Sequence, residues 1–391
     1  METMSSISTV IRRDSFVFAI FLSAFVYLLL VFGGVLPFSD EDSLKPIMKG
    51  VMLVGFILLF CFVDFRRKSV ESLLLFSAAG LFFGVLLLVR ASNFEFAVEK
   101  IDGAIVCSCI VALLLDHGYR RFGRERFQFA FVIFSVFVLI LTVVYKIRFG
   151  FFDRSTRFFL NGPIVYGWIM GLCAILSFDL WSSRRHSYLL FLSFGFFLAL
   201  IWTESKGSVL AFLLAMCVYL LWDLRRNIKS IVFVFCFLFC VFFLFSDVLM
   251  DMLSNSRLAA VGRFLNGDLG GADEGSFGVR SILAEKATQE FWDNPIFGIG
   301  IGEFRFGEYV YPHNQHLEIF AELGVFFGIA HLLFVFSSFV VASRVNKAII
   351  LLFAVAASFS GDASYLRFLY SFCLIGYLGR EPVSRGQVRE A

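Results

Sequence analysis

Apolar residues run along this chain in long blocks, divided by short polar or basic breaks. The blocks lack period-two alternation, and most are too long for strands. A bilayer core about 30 Å thick needs roughly 20 apolar residues per crossing helix. Measured against that length, the pattern predicts twelve crossings: 15–36, 47–65, 70–89, 98–116, 127–146, 163–181, 188–203, 207–222, 230–250, 316–341, 348–360 and 364–379, with 348–360 the shortest. Only Glu204–Lys206 divides 188–203 from 207–222, which predicts a tight hairpin. The first block follows Arg12 and Arg13 and lacks a small-residue cleavage site, so it reads as a spanning helix.

The breaks set the orientation. One alternating set of short breaks, with the two termini, holds 19 Lys and Arg, while the other holds 14 over about twice the length. This predicts cytoplasmic termini and places the long polar stretch 251–312 outside. The predicted organisation is helices over 1–250, a large outer loop over 251–315, helices over 316–379, and a cytoplasmic tail over 380–391. Inside the loop, Val279, Ile282, Leu283, Ala287 and Phe291 recur at helical spacing, with Arg280, Glu285 and Lys286 elsewhere. They predict an amphipathic helix over about 278–292 at the membrane boundary. Asp293, Asn294 and Pro295 end it. The closely spaced glycines of 297–304 then suit a tight backbone passage, and Y-P-H-N-Q-H-L-E (311–318) leads into the tenth helix.

Composition fits the same picture. Of 391 residues, 59% are hydrophobic and 17% charged, and mean hydropathy is +0.84. These values exclude a soluble enzyme, a disordered chain and a nucleic-acid module. A net charge of +3 implies no global field for polyanions. All eight cysteines fall in apolar blocks, where they read as packing residues rather than disulfide or zinc ligands. No Walker loop occurs, so any driving energy comes from a substrate or an ion gradient. The class is an all-α polytopic membrane protein of about twelve transmembrane helices, with one large outer loop holding a short amphipathic helix.

The run R-S-I-L in the loop helix, then N-P-I-F-G-I-G-I-G-E-F, then H-N-Q-H-L-E-I-F-A-E-L-G-V-F-F-G resembles the O-antigen ligase (WaaL) and Wzy-type O-antigen polymerase superfamily. His313, Asn314 and Gly324 meet its H-N-x9-G pattern, with Gly328 following. Arg280 and the Pro295–Phe304 stretch match an upstream arginine and glycine segment. The resemblance implies a fold similar to GT-C glycosyltransferases. It also implies transfer of a glycan from undecaprenyl diphosphate to an acceptor at the periplasmic face of the bacterial inner membrane, without metal or cofactor. Partners would be the lipid-linked donor, a lipid A core or glycan acceptor, and membrane lipids, with no nucleic acid.

That chemistry asks for cations to hold a departing diphosphate and for a base to take a hydroxyl proton. Arginine forks onto phosphate oxygens, and histidine titrates near working pH. The expected catalytic residues are His313 and Arg280. The expected substrate-binding residues are Lys206, Arg157, Arg263, Asn314, Glu322 and Glu204. Lys206 stands where the family often has arginine; it keeps the charge and loses the fork. Glu204 is expected to pair with Lys206, and Glu322 to orient His313 or Arg280. His316 is weighed as a metal partner of His313, and His331 reads as a packed core histidine. Glu99, Lys100 and Asp102 read as snorkelling interface charges. O-antigen ligation to lipid A core, within lipopolysaccharide biosynthesis, is the leading reading. A Wzy-type polymerase is the alternative, and a lipid-glycan flippase or transporter a third.

Overall fold

The computed structural model describes residues 2–34, 47, 49–55, 57, 67–88, 91–153, 158–159, 161–222 and 277–378. Among these, helices and two isolated bridges make up the regular structure, with no strand. In chain order they are α1 (Glu2–Phe32), α2 (Arg67–Leu88), α3 (Phe94–Ile101), α4 (Ser108–Phe122), α5 (Arg124–Phe149), α6 (Pro163–Arg184), α7 (Ser187–Trp202), α8 (Lys206–Leu221), α9 (Phe277–Asp293), α10 (Gln315–Val341), α11 (Arg344–Ala357) and α12 (Leu366–Leu378). A π-helical turn, Asp102–Cys107, joins α3 to α4. The predicted span 230–250 lies outside the described residues, as does most of 47–65.

These are the apolar helices of a membrane protein. By length and composition Arg124–Phe149, Pro163–Arg184 and Gln315–Val341 are long and apolar enough to cross a membrane. On α5, Ile133, Phe137, Ile140, Val144 and Ile147 form an exposed stripe, and on α10 so do Phe326, Ile329, Leu333, Phe336 and Val340. Spacings of three and four put each stripe on one helix face, where hydrocarbon replaces water as the neighbour. α6 is the opposite case, buried from Val165 to Leu180 apart from Asp179. It packs on α5, α7, α8 and α11 at the centre.

Among the described residues, hydrogen bonds and ion pairs link breaks of the same set. At the basic end, Arg124 Nη1 donates to Ser343 Oγ, Arg184 pairs with Glu125, and Arg344 donates to the Tyr219 carbonyl. At the other end, Asn161 donates to the Val31 carbonyl and Gln315 to the Ser360 carbonyl. Arg367, buried in α12, caps α1: its Nε donates to Leu30 O at 2.7 Å and its Nη2 to Val31 O at 3.3 Å. That satisfies carbonyls the helix end leaves open.

The predicted tenth span is not one continuous rod. His316 and His331 both belong to α10, yet their ring nitrogens lie 2.7 Å apart. Along a regular helix, 15 residues span about 22 Å. The helix folds back at Gly324, whose φ of 77° and ψ of −174° only glycine adopts readily. The first arm, 315–323, lies against the second, 325–341, and Phe320 meets Gly328 across the fold. Only the second arm, about 25 Å long at 1.5 Å per residue, is left to span. The first arm is a short helix tucked against Ala354 and Ser360 at one end of the bundle.

Candidate functional site

The fold in α10 is made by the glycine segment. A helix broken at Gly324 frees backbone groups that must find other partners. The segment 295–304 supplies them. Ile299 N–H donates to Ala321 O at 2.9 Å, Gly300 N–H to Glu322 O at 3.0 Å, and Val325 N–H to Pro295 O at 2.8 Å. Contact is too close for side chains. A Cβ on Gly324 would lie 2.2 Å from Ile296 O, and one on Gly298 would lie 2.3 Å from Glu322 C. The predicted tight backbone passage is therefore a strand-like insertion into the elbow of α10.

Beneath it lies a buried ion cluster. Lys100 Nζ sits 2.5 Å from Glu318 Oε1 and 2.7 Å from Glu322 Oε1, and Lys100 and Glu318 are 0% exposed. Lys100 is thus no snorkelling interface charge. The fold-back aims two carboxylates one turn apart on α10 at it, so it stays inside with the Phe96 ring 4.6 Å away. Asp102 is likewise buried, within the π turn. Glu322 also accepts from Gly302 N–H at 2.9 Å and Phe304 N–H at 3.3 Å, which ties the glycine segment to the cluster. The partners of Glu322 are therefore Lys100 and this backbone, rather than His313 or Arg280. Nearby, Ser92 bonds the Glu303 carboxylate through both its N–H and its Oγ. Burial of Glu303 opposes ionisation, but these bonds, the Asn93 N–H and Arg305 outweigh it and lower its pKa.

The loop helix α9 runs over Phe277–Asp293, within a residue or so of its predicted ends. Leu283 and Ala287 bury their side chains with Phe304 and Ala321, beside Val279, Ile299, Tyr309 and Leu317. Ile282 was expected on that apolar face and is 49% exposed instead; it sits on the outward side with Trp292, Ile296 and Phe297. Arg280 on this helix acts electrostatically on Tyr311 and His313, just before α10.

Here the candidate residues meet. His313 takes a left-handed φ of 56°. This turn lets Asn314 act as N-cap, its Oδ1 accepting from His316 N–H and Leu317 N–H, both at 3.1 Å. Asn314 thus serves the helix end directly, and the paired H-N of the motif has a structural reason. The His313 ring lies 4.5 Å from the Tyr311 ring, and its buried Nδ1 has no hydrogen-bond partner among the described residues. Burial lowers the His313 pKa, the Arg280 cation lowers it further, and Asp362 opposes both. Burial raises the Tyr311 phenol, and Asp362, Tyr365 and Glu318 push the same way while Arg280 opposes. Arg280, Tyr311, His313, Asp362 and Tyr365 therefore share one electrostatic neighbourhood.

Tyr311 and Asp362 were not singled out from sequence. Asp362 caps the short helical turn Ala363–Tyr365, its Oδ1 accepting from Ser364 N–H at 2.7 Å. An acidic residue after Gly361, between two predicted spans, was the only available signal. Lys206 opens α8 and Glu204 sits at the hairpin tip with a left-handed φ of 51°. Both are half-buried. A Cβ on Gly207 would lie 2.6 Å from Phe359 Cβ, so the hairpin tip abuts the turn that carries Asp362. Gly207, next to Lys206, thus touches the 358–365 turn, while Arg280 and Asp362 both act on His313. Arg157 and Arg263 lie outside the described residues. Phe158, next to Arg157, packs edge-on to Trp202 at 5.2 Å, two residues before Glu204. His316 bonds through both ring nitrogens, to His331 and to the Ala354 carbonyl, so neither is left for a metal shared with His313.

No curated protein matches the chain. A family model described as O-antigen ligase matches residues 188–333, from α7 into the second arm of α10. That span contains Lys206, Arg280, His313, Asn314 and Gly324, and over it the chain is similar to the O-antigen ligase family.

Proposed function

We propose that the protein transfers a glycan from undecaprenyl diphosphate to an acceptor hydroxyl at the periplasmic face of the inner membrane, and that the acceptor is lipid A core. The family match over 188–333 supports the coarser reading, a glycosyltransferase-like membrane enzyme of the O-antigen ligase and polymerase type acting on a lipid-linked glycan and an acceptor. The observation that carries the transfer chemistry is the nearness of Arg280 to His313. A cation and a half-buried imidazole share one neighbourhood, and the imidazole is biased to its neutral, proton-accepting form.

In this reading His313 takes the acceptor hydroxyl proton as that oxygen bonds to the anomeric carbon. The bond from that carbon to the phosphate oxygen breaks, and its electron pair leaves with undecaprenyl diphosphate. Arg280 and Lys206 meet the charge that grows on the diphosphate. Arg157 and Arg263 are proposed as further phosphate contacts and Glu204 as the partner of Lys206. Asn314 and Glu322 act on substrate indirectly, through the helix start and the glycine segment.

The test is purified protein incubated with undecaprenyl-diphosphate glycan and lipid A core, with chelator and without nucleotide, and analysed on gels. Expected is glycan on lipid A core, lost in His313→Ala and Arg280→Gln protein that still inserts in the membrane. Lengthening of lipid-linked glycan with bare core would replace the ligase with a polymerase. Full transfer by His313→Ala would remove His313 from the mechanism.

A further inference from the structure

The two remaining histidines of α10 form a hydrogen-bonded chain that nothing above uses. His316 Nε2 lies 2.8 Å from Ala354 O on α11, His316 Nδ1 lies 2.7 Å from His331 Nε2, and His331 Nδ1 lies 2.7 Å from the Tyr370 hydroxyl on α12. The direction of the chain follows from its ends. A carbonyl only accepts, so His316 Nε2 carries the proton. In a neutral ring Nδ1 then accepts, so His331 Nε2 donates, and His331 Nδ1 accepts from Tyr370. Among the described residues no carboxylate pairs with either ring, so a charge here would lack a counter-ion. A metal between the rings is excluded by distance, because two nitrogens each about 2.0–2.1 Å from one tetrahedral ion sit more than 3 Å apart.

We propose that Tyr370, His331 and His316 are positioning residues that fix the direction from which His313 faces the substrate; this rests on the transfer reading above. The first arm of α10 is about 13 Å long, far too short to hold its shape alone. His316 lies one turn beyond His313 and has both ring nitrogens engaged, one to α11 and one to His331 on the second arm of α10, which in turn bonds Tyr370 of α12. This fixes the rotation of the first turn. Gln315 adds a bond from the same turn to Ser360 O at 2.8 Å. The left-handed residue immediately before this turn is His313. Loosening the chain lets the turn rotate and swings the imidazole away, while Arg280 and Lys206 keep their places on α9 and α8. The signature is lost kcat with KM for the lipid donor retained.

The test uses full-length protein in detergent or nanodiscs. Glutamine at 331 can donate from its amide nitrogen and accept at its oxygen, which rebuilds the chain without an imidazole. Phenylalanine fills similar space and can do neither. His331→Phe, which loses the hydrogen bonds at both ring nitrogens, is expected to lower kcat about tenfold, with KM within about twofold. His331→Gln should stay within about threefold of the parent. Tyr370→Phe removes one hydroxyl at little risk to folding and should lower kcat by about threefold to tenfold, again at constant KM. Nitrogen-15 NMR of labelled histidine, which needs no activity, should show scalar coupling across the His316–His331 hydrogen bond. Absent coupling, unchanged kcat in both the phenylalanine variants, or a His331→Gln loss as large as that of His331→Phe would each overturn the proposal. Parent protein that shows the coupling but transfers no glycan would defeat the transfer reading, and the positioning role with it, while establishing the chain itself.

Discussion

Gly324→Ala is the sharpest test of the folded-back α10. The backbone there, at φ 77° and ψ −174°, costs a non-glycine residue about 1–3 kcal/mol before any contact is counted. The new Cβ would then lie 2.2 Å from Ile296 O and 2.8 Å from Gly298 N, and both are backbone atoms that cannot rotate away. Relief requires the glycine segment to back off, which stretches the bonds Val325 N to Pro295 O, Ile299 N to Ala321 O and Gly300 N to Glu322 O. At about 1 kcal/mol each these bring the total to about 4–6 kcal/mol. That is a large part of an ordinary stability of about 5–15 kcal/mol. Gly195→Ala is the internal control: it lies within α7, where a Cβ meets nothing within 4 Å, and is expected to stabilise by about 0.5–1 kcal/mol. Thermal unfolding of both purified variants should show a fall of many degrees for Gly324→Ala and none for Gly195→Ala. A Gly324→Ala protein that melts with the parent would mean α10 runs straight and the elbow does not exist.

Three other outcomes follow from the site. The His313 pKa is lowered in the folded protein, so its neutral form persists below the ordinary value of about 6.5. The acid limb of kcat/KM in the parent should therefore lie below that pH; in an NMR titration of His313, Arg280→Gln, which removes the second cause after burial, should move the midpoint upward, and a midpoint that moves down would refute the electrostatic link. Lys100→Met leaves two buried carboxylates without their cation, and a loss of about 3–5 kcal/mol in denaturant unfolding is expected, partly restored by adding Glu318→Gln. Lys206→Ala should raise KM or lower kcat about tenfold while Lys206→Arg retains activity; equal activity of all three proteins would leave Lys206 a plain hairpin-tip charge.

Much of the architecture was legible because burial in a bilayer demands long apolar blocks, and such blocks survive in sequence order. The ends of α5, α6, α7 and α8, the hairpin at Glu204–Lys206, and the loop helix α9 with its stop at Asp293–Pro295 fall close to where the pattern put them. Arg280 and His313 could be picked out because their chemistry is rare in such a chain and their spacing matches a motif. The sequence could not show the fold-back at Gly324. An apolar run reads the same whether straight or bent, and the decision rests on which backbone groups the glycine segment can reach. Nor could it show the fate of Lys100. Beside a predicted membrane edge a lysine is expected to reach for water. What keeps this one dry is a pair of carboxylates more than two hundred positions away, and only the tertiary structure brings them to it. The same holds for Tyr311, Asp362 and the His316–His331–Tyr370 chain. Local physics determined the helices and their ends, but a site made of charges and hydrogen bonds between distant segments exists only after those helices have packed.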